Sequence, residues 1–308
     1  MTRPIRFGVV GTAYWAREVH IPGLSARPEI EVAGVWGRSV EATRSIAQAT
    51  DVYAFRTFEE MLEHVDAVSF AVAPHAQPAL AAAAARAGKH LLLEKPIAVS
   101  SVAAMPLIEA ISRNGVAAIV FFMRRFVPLI ETAIERAATE HWASASVRVH
   151  SAALSSPTPF AKSAWRHEAG AELWDIGPHA LSILHPILGP VTRIDARRQP
   201  DARTTFTTTH VGGATADVSL TLRADPDSAR VEYRFDRDGS SLTLPEPAIA
   251  RPEALSGAAG ELVRNVAEQK TAHPLDARFG LEVVRILEAA ERSIEQCRPM
   301  HVPLRESA

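Results

Sequence analysis

Apolar and polar positions in the first third of the chain follow two alternating rhythms. Short, nearly continuous apolar runs fall at 5–10, 30–36, 66–72, 90–93 and 117–122, with longer stretches of helical spacing between them at about 14–26, 40–49, 76–88 and 101–114. Such alternation predicts a βαβ series and therefore a parallel sheet with helices on both faces.

After Arg125 the rhythm changes to a helix near 127–140, a strand near 143–153 and the loop Ser155-Ser156-Pro157-Thr158-Pro159. A helical segment around 171–188 follows, then β-like stretches near 191–199, 203–211, 214–223, 229–236 and 240–244, where Thr, Val and Arg alternate as in an antiparallel sheet with one covered face. Closing helices are expected near 258–269 and 276–296, the second with Leu281, Val284, Leu287 and Ile294 at helical spacing. The reading is an α/β chain of two domains: a doubly wound, parallel Rossmann sheet over 1–122, and an α+β domain with an open, mainly antiparallel sheet over 123–308.

A hydrophobic fraction of 47% in 308 residues suffices for two cores, and 33 basic against 35 acidic residues leave a formal charge of −2. Nucleic-acid and membrane partners are not expected; the apolar run Ala79–Ala87 contains Arg86 and is too short to span a bilayer. The single cysteine, Cys297, reads as a spare thiol, and the start of the chain lacks a signal peptide's apolar region, so the expected location is the cytoplasm. With no HExxH, Cys-rich spacing or Gly-x-Ser-x-Gly elbow, neither a metal site nor a hydrolase elbow is expected.

The segment Gly8-Val-Val-Gly11-Thr12-Ala13-Tyr14-Trp15-Ala16 lies between a strand and a helix, where glycines let backbone amides approach a pyrophosphate. Ala13 replaces the second glycine of that pattern, so a plain β-α turn is the competing reading. The second strand ends in Val35-Trp36-Gly37-Arg38-Ser39, without the acid that accepts from a ribose 2′-hydroxyl. Gly37 leaves space for a 2′-phosphate that Arg38 and Ser39 would bind, so NADP(H) is expected over NAD(H); a solvent-facing arginine is the alternative. A buried strand then delivers Glu94-Lys95-Pro96 at its carboxyl end, the edge where ligands gather on a parallel sheet. Farther on, Asp175 and His179 are four apart, hence on one face if helical, although Pro178 should leave the backbone there irregular or newly capped. Imidazole suits proton transfer near neutral pH, and a structural Asp–His pair is the competing view.

Taken together, Gly11-Thr-Ala13-Tyr-Trp-Ala16, Ala87-Gly-Lys-His90, Glu94-Lys-Pro96 and Gly170-Ala-Glu-Leu-Trp-Asp175-Ile-Gly-Pro-His179 resemble the Gfo/Idh/MocA oxidoreductases. The resemblance implies oxidation or reduction of a sugar, cyclitol or related polar carbonyl compound with NAD(P), and a homodimer or homotetramer formed through the second-domain sheet. It implies that Lys95 contacts substrate and nicotinamide ribose across a frequently cis bond to Pro96, that His179 exchanges the proton, and that Asp175 orients substrate or histidine. Ala73, Pro74 and Gln77 are expected beside the cofactor, Gln77 replacing a more usual histidine because the loop reads His75-Ala76-Gln77-Pro78. Tyr14 and Trp15 are candidates to lie near nicotinamide, and Trp165 and Arg166 near cofactor or substrate, with a buried aromatic anchor as the alternative for the tryptophan. Arg125 is a candidate substrate contact or a domain-linking ion pair. Ser182 stands where many relatives carry Asp. Two other functions share these features: a cofactor-recycling NAD-dependent glycosidase and a non-catalytic NADP-binding sensor.

Overall fold

The computed structural model describes residues 3–161 and 163–304; the outermost positions of the two expected domains, 1–2 and 305–308, lie outside these. Contacts divide the chain into two units, one holding residues up to Phe126 together with Ile249–Leu281, the other Val127–Ala248 with the segment from Glu282 on.

In the first unit, β1 (Ile5–Val10), β2 (Ile30–Trp36), β3 (Ala67–Phe70), β4 (His90–Leu93) and β5 (Ala118–Val120) form a parallel sheet in the order β2-β1-β3-β4-β5. The strands β3, β4 and β5 and the end of β1 are almost wholly buried, with apolar side chains apart from Ser69 and the half-buried His90, which explains the apolar runs there. Ala54 adds a one-residue parallel bridge to Val35, flanked by Val35 N–H donating to Tyr53 O (2.8 Å) and Phe55 N–H to Val35 O (3.0 Å). With that vestigial strand outside β2, the order is that of the dinucleotide-binding doubly wound fold, and the chain reverses between β1 and β3.

The first helical stretch, residues 14–25, opens with a π turn at Ala16–His20 and continues as α1 (Ile21–Ser25). The helices α2 (Val40–Thr50), α3 (Phe58–His64), α4 (Gln77–Arg86) and α5 (Ser101–Asn114) complete the crossovers, with Ser39, Thr57 and Ser100 as side-chain N-caps. The helix α8 (Arg251–Ala267) belongs to this unit, which corrects the domain boundary expected from the first 122 residues. It packs on α1 at two glycines: a Cβ on Gly23 would come within 2.6 Å of Pro252 O, and one on Gly260 would collide with the Arg27 guanidinium. Such pairing across more than 200 residues leaves no local signal.

The second unit holds α6 (Pro128–Ala138), β6 (Ser144–His150), α7 (Ala171–Leu188), β7 (Val191–Arg198), β8 (Thr204–His210), β9 (Thr215–Thr221), β10 (Arg230–Arg237), β11 (Ser240–Thr243) and the short β12 (Met300–His301). The sheet order is β11-β10-β6-β9-β8-β7-β12, antiparallel except for β6 against β9. One face, with Ala145, Val147, Ala216, Val218, Leu220 and Phe206, is buried. The other is polar and carries the pairs Arg148–Glu232 (2.6 Å), Thr207–Asp217 (2.6 Å) and His150–Ser219 (2.8 Å). The last long helix, α9 (Ala277–Gln296), starts in the first unit and ends in the second. Against expectation, α7 runs unbroken through Pro178 and Pro186. Burial of nearly every side chain from Ala171 to Leu184 offsets the lost backbone bonds.

Candidate functional site

In the first unit the candidate residues lie in loops that leave the carboxyl ends of the parallel strands. Gly11 turns the chain out of β1 at φ +130, and a Cβ there would sit 2.4 Å from Ala71 O, in the segment after β3. Only glycine fits that crossing at the switch point. The helical stretch then begins at residue 14, with Ala13 exposed and Thr12, Tyr14 and Trp15 half-buried. Tyr14 and Trp15 meet edge to face at 6.3 Å, and both contact Arg251, whose Nη1 donates to Tyr14 Oη (3.2 Å) and whose guanidinium lies 5.8 Å from the Trp15 ring. Arg251 is a neighbour of the loop after β1 that sequence reasoning missed; it becomes visible only once α8 is known to return to this unit.

After β2, a Cβ on Gly37 would meet Thr12 Cγ2 at 2.6 Å, so the loops after β1 and β2 touch there. Arg38 and Ser39 are exposed, and Ser39 Oγ accepts from Ala42 N–H (3.2 Å) as the N-cap of α2. The donors at this point are therefore a guanidinium, a hydroxyl and a helix N-terminus, a set that fits a phosphate monoester. Glu41, in the first turn of α2, is the nearest carboxylate in sequence.

The Glu94-Lys95-Pro96 turn follows β4, with the Lys95–Pro96 bond cis as the resemblance implied. Gln77 grips it as a two-sided clamp: its Nε2 donates to Glu94 O (2.8 Å) and its Oε1 accepts from Glu94 N–H (2.8 Å). Gln77 is fully buried, which corrects its expected place against the cofactor; its amide is spent on the backbone that carries Lys95. Pro74 and Pro78 are buried, Ala73 is half-buried and His75 exposed. Lys95 is half-buried, and its N–H donates to Glu94 Oε2 (3.2 Å). Arg124 and Arg125 are both buried in the 3-10 turn Met123–Phe126.

In the second unit, Gly170 at φ +90 caps α7, which presents Asp175 and His179 one turn apart on one face, 6% and 9% exposed. The Asp175 carboxylate receives Arg166 Nε (2.7 Å) and Nη2 (3.3 Å), and the guanidinium lies 4.6 Å from the Trp165 ring and 5.0 Å from that of Phe160. Arg166, expected near cofactor or substrate, is paired with Asp175, and its guanidinium lies against the Trp165 ring. Ser182 is fully buried and its hydroxyl donates to His179 O (2.9 Å), so it secures the helix beside the histidine. Among the described residues no group of three or more His, Cys, Asp or Glu is placed to hold a metal ion, and no helix is long and apolar enough to cross a membrane.

Comparison with known proteins agrees with this arrangement. Residues 5–122 match the Gfo/Idh/MocA model, described as an oxidoreductase family with an NAD-binding Rossmann fold. A D-xylose 1-dehydrogenase (NADP+) of Haloferax volcanii is 30% identical over 237 residues, 75% of this chain and 69% of the relative. An uncharacterised oxidoreductase of Synechocystis is 27% identical over 61% of this chain, and the match spans about half of its length (52%). A levoglucosan dehydrogenase structure, in complex with NADH and L-sorbose, superposes with a TM-score of 0.85 over 99% of this chain and 100% of its own at 16% identity, a likeness of fold. The family match over 5–122 and the 30% identity to the xylose dehydrogenase over most of both chains, on a parallel sheet that reverses between β1 and β3, make the chain a member of the Gfo/Idh/MocA oxidoreductase family.

Proposed function

We propose that the protein is an NADP(H)-preferring oxidoreductase that moves a hydride between nicotinamide and a sugar, cyclitol or related polar carbonyl or alcohol. The observation that carries the reading is the pairing, at one edge of the parallel sheet, of the Gly11 turn with a Lys95 turn clamped by Gln77. The preference for NADP rests on Arg38, Ser39 and the N-terminus of α2 beyond a strand that ends without an acid. The xylose relative is named for NADP, in the same sense.

The dinucleotide would be held by Gly11, Thr12, Ala13, Tyr14 and Trp15 at the pyrophosphate and by Gly37, Arg38 and Ser39 at the adenosine ribose, with Ala73, Pro74, Glu94 and Pro96 shaping the floor. When bound it supplies or accepts the hydride. Lys95 is assigned to stabilise negative charge on the substrate, and His179 to give the substrate a proton in reduction and take it in oxidation. Asp175, held by Arg166, fixes the His179 face of α7; Arg125 is offered as a substrate contact. Association into a homodimer or homotetramer is assigned to the polar sheet face, and the working location to the cytoplasm.

Fluorescence titration with NADPH and NADH, followed by turnover on aldoses, ketoses and inositols, tests the reading. Tighter NADPH binding and turnover that falls about 10²–10⁴-fold in His179→Ala are expected. NADH binding more tightly than NADPH, or full turnover in His179→Ala, overturns the corresponding assignment.

A further inference from the structure

The π turn Ala16–His20 ends on a histidine that none of the assigned roles uses. His20 is fully buried, with Nδ1 2.8 Å from Ser69 Oγ and Nε2 3.3 Å from Glu94 Oε1. Serine, histidine and carboxylate in line resemble a hydrolytic triad, yet Ser69 and His20 are both wholly enclosed, so no carbonyl can reach the hydroxyl. The array must act on what its carboxylate holds. A carboxylate only accepts, so Nε2 carries the proton toward Glu94, while Nδ1 shares a hydrogen bond with the Ser69 hydroxyl. The other oxygen of Glu94 accepts the Lys95 N–H (3.2 Å), while Gln77 grips the Glu94 backbone from the opposite side. π turns are costly and occur often at functional sites, and this one carries the histidine to Ser69 on the switch strand β3 and to the Lys95 turn.

We propose that His20 is a positioning residue for Lys95: it fixes the Glu94 carboxylate, and through it the backbone from which the lysine projects. The reaction assigned to Lys95 rests on the proposed function; the coupling of His20 to Lys95 does not. Because the chain has four lysines, ¹³C reductive methylation of the full-length protein gives a spectrum in which Lys95 is assigned by Lys95→Arg. In His20→Asn the side chain still reaches Ser69 and loses Glu94; in His20→Gln the donor toward Glu94 is retained.

The Lys95 resonance and its titration midpoint should shift in His20→Asn and in Glu94→Gln and stay at the wild-type position in His20→Gln, with the Lys89 and Lys270 signals unmoved throughout. Wild-type Lys95 behaviour in His20→Asn, or the same displacement in His20→Gln as in His20→Asn, overturns the proposal. If His20→Asn does not fold, Glu94→Gln carries the test, and an unmoved Lys95 signal there overturns it. Failure to bind NADPH would sink the functional reading while leaving this spectrum as it is, so the two failures are distinguishable.

Discussion

The Arg166 guanidinium meets the Asp175 carboxylate at two points, 2.7 and 3.3 Å, one helical turn before His179. Both side chains are largely buried, 12% and 9% exposed. Removing one partner leaves a buried charge without its counterpart, whereas removing both charges does not. Arg166→Met should therefore lower stability by about 3 kcal/mol in urea unfolding, and Arg166→Met with Asp175→Asn should recover much of it. A double variant no more stable than the single one would show that the pair does not act as a unit.

Cofactor preference should follow Arg38. A charge-assisted bond to a 2′-phosphate contributes about 1.5–3 kcal/mol, so Arg38→Ala is expected to weaken NADPH roughly 10- to 100-fold and leave NADH nearly unchanged. Equal losses for both cofactors in a fluorescence titration would move Arg38 away from the phosphate.

Reversal of that preference needs two changes. An acid at position 37 brings a Cβ to 2.6 Å from Thr12 Cγ2, so Gly37→Asp alone should impair both cofactors. Combined with Thr12→Gly it should favour NADH, as measured by the ratio of the two dissociation constants. An unimpaired single variant would mean that the two loops separate freely.

Acid should weaken the fold before any carboxylate titrates. Burial pulls the His90 imidazole below its ordinary value, and His210 likewise. His90 Nδ1 accepts from Ala117 N–H (3.0 Å), which only a neutral ring allows. His210 sits between Gly189 O (2.7 Å) and Thr208 Oγ1 (2.9 Å), and its burial outweighs the bond to Gly189. The fold therefore disfavours the charged form of both rings. Below about pH 6.5 the unfolded chain takes up protons that the folded one refuses. Stability is thus full above that pH and declines as pH falls toward the lower, folded values. Denaturation midpoints at pH 7.5 and 5.5 should differ, and by less in His90→Gln with His210→Gln; an unchanged difference would assign the loss elsewhere.

The polar sheet face predicts salt-sensitive association. Light scattering should report a dimer or tetramer whose dissociation constant rises with ionic strength, and Thr207→Arg, next to Asp217 and Arg148, should weaken it. A monomer at all salt concentrations removes the sheet as an interface.

Local periodicity already contained the βαβ alternation, the strands of the second sheet and the placement of Lys95 at a strand's carboxyl end, because each depends on residues within a turn or two. The Asp175/His179 face was legible too, although Pro178 argued against a continuous helix; whether a helix survives a proline depends on what buries it. Folding alone determined that α8 belongs with the first unit, that Gln77 grips the Lys95 turn instead of facing a ligand, that Arg166 serves Asp175, and that His20 reaches Glu94. Three of these four relationships join residues 17 or more positions apart, and in all of them a polar or apolar side chain finds its partner only when the backbone closes around it. Residue type fixes what such a side chain can bond, and tertiary packing selects which partner it meets.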